Sequence, residues 1–209
     1  MGLLLWTWDR AARARIIRTA IIGAPRNRDK EPFVIFEATP LEGAWLITQE
    51  PHADERGYFA RTYCQREFAA HGLCTAWVQH NVSQNHHAHT LRGMHWQAAP
   101  HAEIKLVRCS VGSVYDVVVD LRPGSPNYKQ HYGVELSVEN GRQLYIPEGF
   151  AHGFITLTEN ARVDYLMSAY FEGGAARGAR YNDPAFGIAW PAAPKVIHPR
   201  DAAYPDFED

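Results

Sequence analysis

The sequence is poor in cysteine, net charge and long apolar runs, and each shortage removes a class of protein. Its three cysteines, Cys64, Cys74 and Cys109, form no CxxC pair. They read as buried thiols in a reducing compartment, not as a disulfide framework. A formal net charge of -2 over 209 residues gives no field strong enough to gather nucleic acid or an anionic membrane. An anionic ligand would have to be held by local Arg, Lys or His clusters. No stretch approaches the roughly 20 apolar residues of a membrane-spanning helix. There is no βαβ rhythm, no glycine-rich phosphate fingerprint and no repeat at solenoid spacing. The lack of an export signal points to the cytoplasm.

What is present divides at about residue 32. Residues 1–32 are Arg-rich and sparse in acids. "RAARARIIRTAII" could form a short helix with arginines on one side, and "GAPRNRDKEP" reads as a linker. The stretch reads as an extension ahead of one domain over 33–209. From Phe33 the texture is strand-like. "FVIFEATPLEGAWLIT" holds short β-rich runs, and "WVQHNVSQN" alternates. "IKLVRCSVGSVYDVVVDL" gives two strands around Val111-Gly112. "HYGVELSVENGRQLYIP" gives two joined at Glu139-Asn140-Gly141, a hairpin signal. "GFITLTENARVDYLMSAYF" gives two more, joined at Glu159-Asn160. "QREFAAHGL" is the one helical segment of the body. Short strands with turns every 8 to 12 residues or so imply an all-β sandwich or small barrel. The tail after Tyr170, rich in proline and aromatics, is expected to wrap that barrel.

Eleven histidines raise the question of a metal. His87 and His89 have the spacing that places two ligands on one face of a strand, but "SQNHHAHT" is turn-like. His95 has no HxH partner, and Glu103 lies beside Lys105 without a ligand pattern. "GRQLYIPEGFAHGF" matches the second half of the cupin signature through Gly141, Pro147, Gly149 and His152; the first half is missing. The other reading is acid–base chemistry with His95 as base. An enolate formed by such a base needs a cation at its oxygen. Arg92 and Lys105 are near in sequence. On "IKLVR", Lys105 shares a face with Val107, and Leu106 shares the other with Arg108. Tyr165 points inward if it faces with Val163 and Met167, either as a proton donor or as a core phenol.

The motifs "DERGYF" (54–59), "VQHNVS" (78–83), "LRGMHWQ" (91–97), "KLVRCSVGSVYDVVVDLRPGSP" (105–126), "LSVENGRQLYIPEGFAHGF" (136–154), "NDP" (182–184) and "IAWP" (188–191) stand in order. Together they resemble the dTDP-4-dehydrorhamnose 3,5-epimerase family of cupin-like nucleotide-sugar epimerases, over about residues 34 to 201. The resemblance implies a jelly-roll subunit and a homodimer without metal or organic cofactor. Its substrate would be a nucleotide-linked 4-keto-6-deoxy sugar. The protons at C3 and C5 flank the ketone; removal gives an enolate, and return of a proton to the opposite face inverts the carbon.

By matching position, His95 resembles the base and Asp201 its carboxylate partner. Lys105 resembles the cation at the enolate oxygen, and Tyr165 the acid on the far side. Arg92 and His152 resemble groups around sugar and diphosphate. Arg56, Phe59, Gln79 and Asn81 resemble nucleotide-side contacts, some crossing the dimer. Three positions depart from the family pattern: Arg61 replaces a glutamate, Phe171 replaces a tyrosine, and Ala176 replaces an acid. The reacting positions survive while the binding shell is altered. Two other readings of the same residues are a metal-dependent cupin enzyme and a non-catalytic nucleotide-sugar-binding cupin.

Overall fold

The computed structural model describes residues 33–208; the Arg-rich extension and its linker lie outside the described residues. In chain order the strands are β1 (Val34–Ala38), β2 (Trp45–Gln49), β3 (His52–Asp54), β4 (Gly57–Phe59), β5 (Gln79–Gln84), β6 (Thr90–Gln97), β7 (Lys105–Val111) and β8 (Ser113–Asp120). They continue with β9 (His131–Ser137), β10 (Arg142–Ile146), β11 (Phe150–Thr156), β12 (Arg162–Met167), β13 (Ala176–Gly178) and β14 (Val196–Ile197). Helix α1 (Gln65–Ala70) falls in the expected segment, whereas α2 (Pro199–Ala202) sits in a tail that carries no helical periodicity.

The strands form a sandwich of two main sheets. The first has the order β1-β2-β10-β7-β12-β5, and the second β13-β6-β11-β8-β9, with β14 joined to β6. Strands β3 and β4 make a separate two-stranded hairpin. Inward side chains from both sheets, among them Val107, Val118, Leu136, Leu144, Ile146, Phe154 and Val163, make the central core. Each such burial contributes roughly 1.5–3 kcal/mol.

The three turns read from the sequence all reverse the chain, but none makes a paired hairpin. Strands β7, β10 and β12 lie in the first sheet; β8, β9 and β11 lie in the second. The Asn140 turn closes with its side chain accepting from Ser137 N and Arg142 N, yet the strands it joins never share a ladder. Turn chemistry fixes where the chain reverses. Which sheet receives it is decided by burial: Val134 and Leu136 enter the core from one side, Leu144 and Ile146 from the other.

Both outer faces are covered in part. Strand β8 reads as a near-continuous apolar run because its outward residues Val117 and Val119 are also buried, under Phe186, Ile188, Trp190 and Phe207 of the tail. Asp183 anchors this wrap, accepting from Ala185 N at 2.9 Å and Phe207 N at 2.6 Å. On the first sheet, Leu106 and Tyr145 pack with Phe68 of α1 and Ile47 of β2. The cysteines are free, and burial pushes the Cys109 thiol up to about 11.

Candidate active site

At one end of the sandwich the inward positions turn from apolar to polar, and the sheets enclose a cavity of about 650 Å³. A polar group taken out of water costs free energy unless it is paired, and here three buried or half-buried ionisable groups have partners.

His95 comes from β6 of the second sheet. Its Nε2 lies 2.9 Å from Asp201 Oδ1, across 106 positions of sequence. Asp201 is 2 % exposed, and its other oxygen accepts from Gly93 N at 3.2 Å. Burial pushes the Asp201 carboxyl up, but His95, the Gly93 N–H and Arg200 outweigh that and hold it below its usual value of 3.8. An ionised carboxylate can only accept, so Nε2 carries the hydrogen and Nδ1 keeps a lone pair. The tail makes this contact because β14 runs parallel to β6, pairing Val196 with Thr90 and Ile197 with Leu91. Pro199 then starts α2, and the N-cap His198 accepts from Arg200 N.

Gly93 makes the geometry of β6 work. Its φ is +118°, and a Cβ there would stand 2.6 Å from Gly153 Cα and 2.8 Å from His152 O. Glycine on both strands lets β6 and β11 approach at an irregularity in their ladder, which leaves His95 directly opposite His152.

His152 is buried, with Nε2 3.1 and 3.0 Å from the two oxygens of Asp116. Asp116 was not singled out from the sequence. Its signal was there: a charged residue inside the apolar run "SVYDVVVD" demands a buried partner.

The first sheet supplies the opposite wall. Lys105 and Val107 do share the inner face, with Leu106 packed on the outer one. Lys105 Nζ is 3.0 Å from Glu103 Oε1. Tyr165 on β12 is paired with Val107 on one side and Asn81 on the other. Burial pushes the Tyr165 phenol far up, Asp116 adds to this, and Arg92 and Ser83 oppose it. The phenol therefore keeps its proton across neutral pH. Its ring stands 6.1 Å from that of His152.

Of the ten residues singled out from the sequence for the site, seven line this one cavity: His95, Asp201, Lys105, Tyr165, Asn81, Arg92 and His152. Arg92 Nε also donates to Asn85 Oδ1 at 2.7 Å. The other three lie away from it in the single chain. Arg56 and Phe59 sit on the β3–β4 hairpin, where Phe59 is 70 % exposed and Arg56 pairs with Asp54. Gln79 accepts from Phe171 N at the edge strand β5. Among the described residues no three His, Cys, Asp or Glu side chains converge as a ligand set; His86, His87 and His89 follow the end of β5 in a turn.

The family model for dTDP-4-dehydrorhamnose 3,5-epimerase matches residues 38–209. The chain belongs to that family. The dTDP-4-dehydrorhamnose 3,5-epimerase of Salmonella typhimurium is 42 % identical over 169 residues, covering 80 % of this chain and 92 % of that protein. The crystal structure of the epimerase from Bacillus anthracis with TDP and PPi bound matches with a TM-score of 0.81 and 36 % identity, covering 84 % of this chain and 100 % of that one. The Legionella pneumophila enzyme in complex with dTDP-4-keto-L-rhamnose matches with a TM-score of 0.78 and 36 % identity, over 82 % and 92 % of the two chains.

This epimerase is accordingly an isomerase on a cupin-like sandwich. The three positions read from the sequence as departures fall outside the cavity lining. Arg61 forms an ion pair with Glu67 of α1 at 3.3 Å. Phe171 is 71 % exposed beside Tyr170. Ala176 pairs with Gln97 on β13.

Proposed function

We propose that this protein epimerises C3, C5 or both of a dTDP-linked 4-keto-6-deoxy sugar through the residues of this cavity. Nδ1 of His95 takes the proton next to the ketone, with Asp201 fixing the ring and stabilising the imidazolium that forms. Lys105 meets the negative charge on the C4 oxygen. Tyr165 returns a proton to the other face. Arg92 and His152 engage the sugar and diphosphate, where arginine and histidine donors suit phosphate oxygens. Arg56, Phe59, Gln79 and Asn81 contact the nucleotide.

The observation that carries this reading is the placement of His95 and Tyr165. They line one cavity from opposite sheets, β6 and β12. Inversion needs removal and return of the proton on opposite faces of one carbon, and a flat enolate lying between these walls presents one face to each. A Lys105 cation at the oxygen leaves no step that requires a metal or an organic cofactor.

What the single chain leaves uncovered supports a homodimer. Phe59 and Tyr58 on the β3–β4 hairpin are exposed, as are Val82 on the edge strand β5 and Val78 just before it. In a dimer the hairpin would bring Arg56 and Phe59 to the partner's cavity. Three unpaired thiols favour the cytoplasm, and no helix among the described residues is long and apolar enough to cross a membrane.

The test is proton NMR in D₂O with a panel of nucleotide-linked 4-keto-6-deoxy sugars. Deuterium is expected at C3, C5 or both, fastest with the dTDP sugar. Binding without exchange at either carbon would make the protein a sugar-binding cupin and end the proposal.

A further inference from the structure

Glu103 takes no part in the reaction as drawn, yet it is the carboxylate in contact with Lys105. Its Oε1 lies 3.0 Å from Nζ, with the two side chains 9 % and 10 % exposed. Its Oε2 accepts from Gln97 Nε2 at 2.9 Å. Gln97, at the end of β6, is itself 4 % exposed. It donates to His101 O and Tyr170 O and accepts from Glu172 N at 2.6 Å. The backbone between Glu103 and Lys105 is pinned as well. Ile104 N donates to Ser168 Oγ at 2.7 Å, and Ser168 N donates back to Ile104 O at 3.0 Å.

A lysine ammonium rides on a flexible four-carbon stem and has three donors. Left free in a cavity it samples many positions. One donor given to a fixed carboxylate leaves two for a substrate oxygen and settles where they point. The other ionisable groups around the cavity are His95 and Arg92 on β6, His152 on β11, Tyr165 on β12, and His198, Arg200 and Asp201 at α2. The acids Asp201 and Asp116 are each committed to a histidine.

We propose that Glu103 is a positioning residue: held by Gln97, it fixes the Lys105 ammonium toward the cavity, where the enolate oxygen forms. This rests on the reading of Lys105 as the cation that meets that oxygen. Held in place, Lys105 acts on charge that exists only as the proton leaves, so Glu103 bears on kcat and not on binding.

The test compares E103Q, E103D, K105M and the E103Q/K105M pair by steady-state kinetics and deuterium exchange, with thermal melts to verify folding. K105M is expected to lower kcat roughly 10²–10³-fold. E103Q should lower it about 10- to 100-fold with KM nearly unchanged, and E103D, which keeps the charge but shortens its reach, by less. Once Lys105 is gone, E103Q should add nothing further, since Glu103 acts through it. Wild-type kcat in folded E103Q overturns the inference, and so does an undiminished loss on the K105M background. Should E103Q not fold, E103D with wild-type kcat overturns it instead. A K105M variant with wild-type exchange would sink the assignment of Lys105 itself, a different failure.

Discussion

The two walls of the cavity are built differently. On the β6–β11 wall, each histidine is paired with a carboxylate from a remote part of the chain, Asp201 at 106 positions and Asp116 at 36. On the β7–β12 wall, Lys105 is paired with a glutamate two residues before it, and Tyr165 stands in a ladder between its neighbours β7 and β5. The first wall needs tertiary assembly before its chemistry exists. The second is largely present once three adjacent strands pair. The proposed base and acid thus depend on different parts of the fold, and substitutions on each side should have distinct signatures.

The largest effect is expected at His95, the proposed base. H95A should lower exchange, at whichever of C3 and C5 the wild type exchanges, roughly 10²–10⁴-fold with the fold intact by circular dichroism; exchange that survives would erase the distinction between the walls. Next comes Y165F. It removes the returning proton but not the step that forms the enolate. Deuterium exchange should persist within about tenfold while inversion falls about 10²-fold, read by NMR of exchange against product. If both fall together, the two walls share one task.

D201N should be milder than H95A, a loss of roughly 10- to 10²-fold in kcat, because the base remains but its ring is no longer held. It also has a stability signature. The folded-state carboxyl lies below 3.8, so the ionised group contributes stability that is fully present above its unfolded value and is lost as pH falls through the folded one. Denaturant midpoints between about pH 5 and pH 2 should show a shallower acid limb in D201N than in wild type. F171Y should do least. An exposed ring outside the cavity lining leaves kcat/KM within about threefold, the scale of a surface change near 0.5 kcal/mol. A larger gain would mean that the Tyr170–Phe171 segment takes part in binding.

The same contrast explains what could be read from the sequence. The β7–β12 wall was legible in part from the residues themselves, as shared faces and not as roles. Alternation grouped Lys105 with Val107, and Tyr165 with Val163 and Met167; that these faces point inward is seen only in the folded chain. The β6–β11 wall was not. No periodicity links Asp201 to His95, and that pair was reached through the family resemblance alone. The close approach at Gly93 depends on Gly153, sixty residues on. Asp116 went unnoticed because a strand buried on both faces hides which of its positions point inward. The all-β sandwich followed from strand lengths and turns. The pairing did not, since Glu139-Asn140-Gly141 marks a reversal without saying that the strands change sheets.

The arrival of Asp201 from α2 has a consequence for biosynthesis. The strands of both sheets up to β12 leave the ribosome before the segment that orients the imidazole. The lysine, the phenol and the histidine thus all precede in the chain the anion that sets the ring's tautomer. Full orientation of the His95 ring comes last, when the tail is fastened through Asp183 and Phe207. Turnover then reports the docking of the tail more faithfully than any measure of β structure.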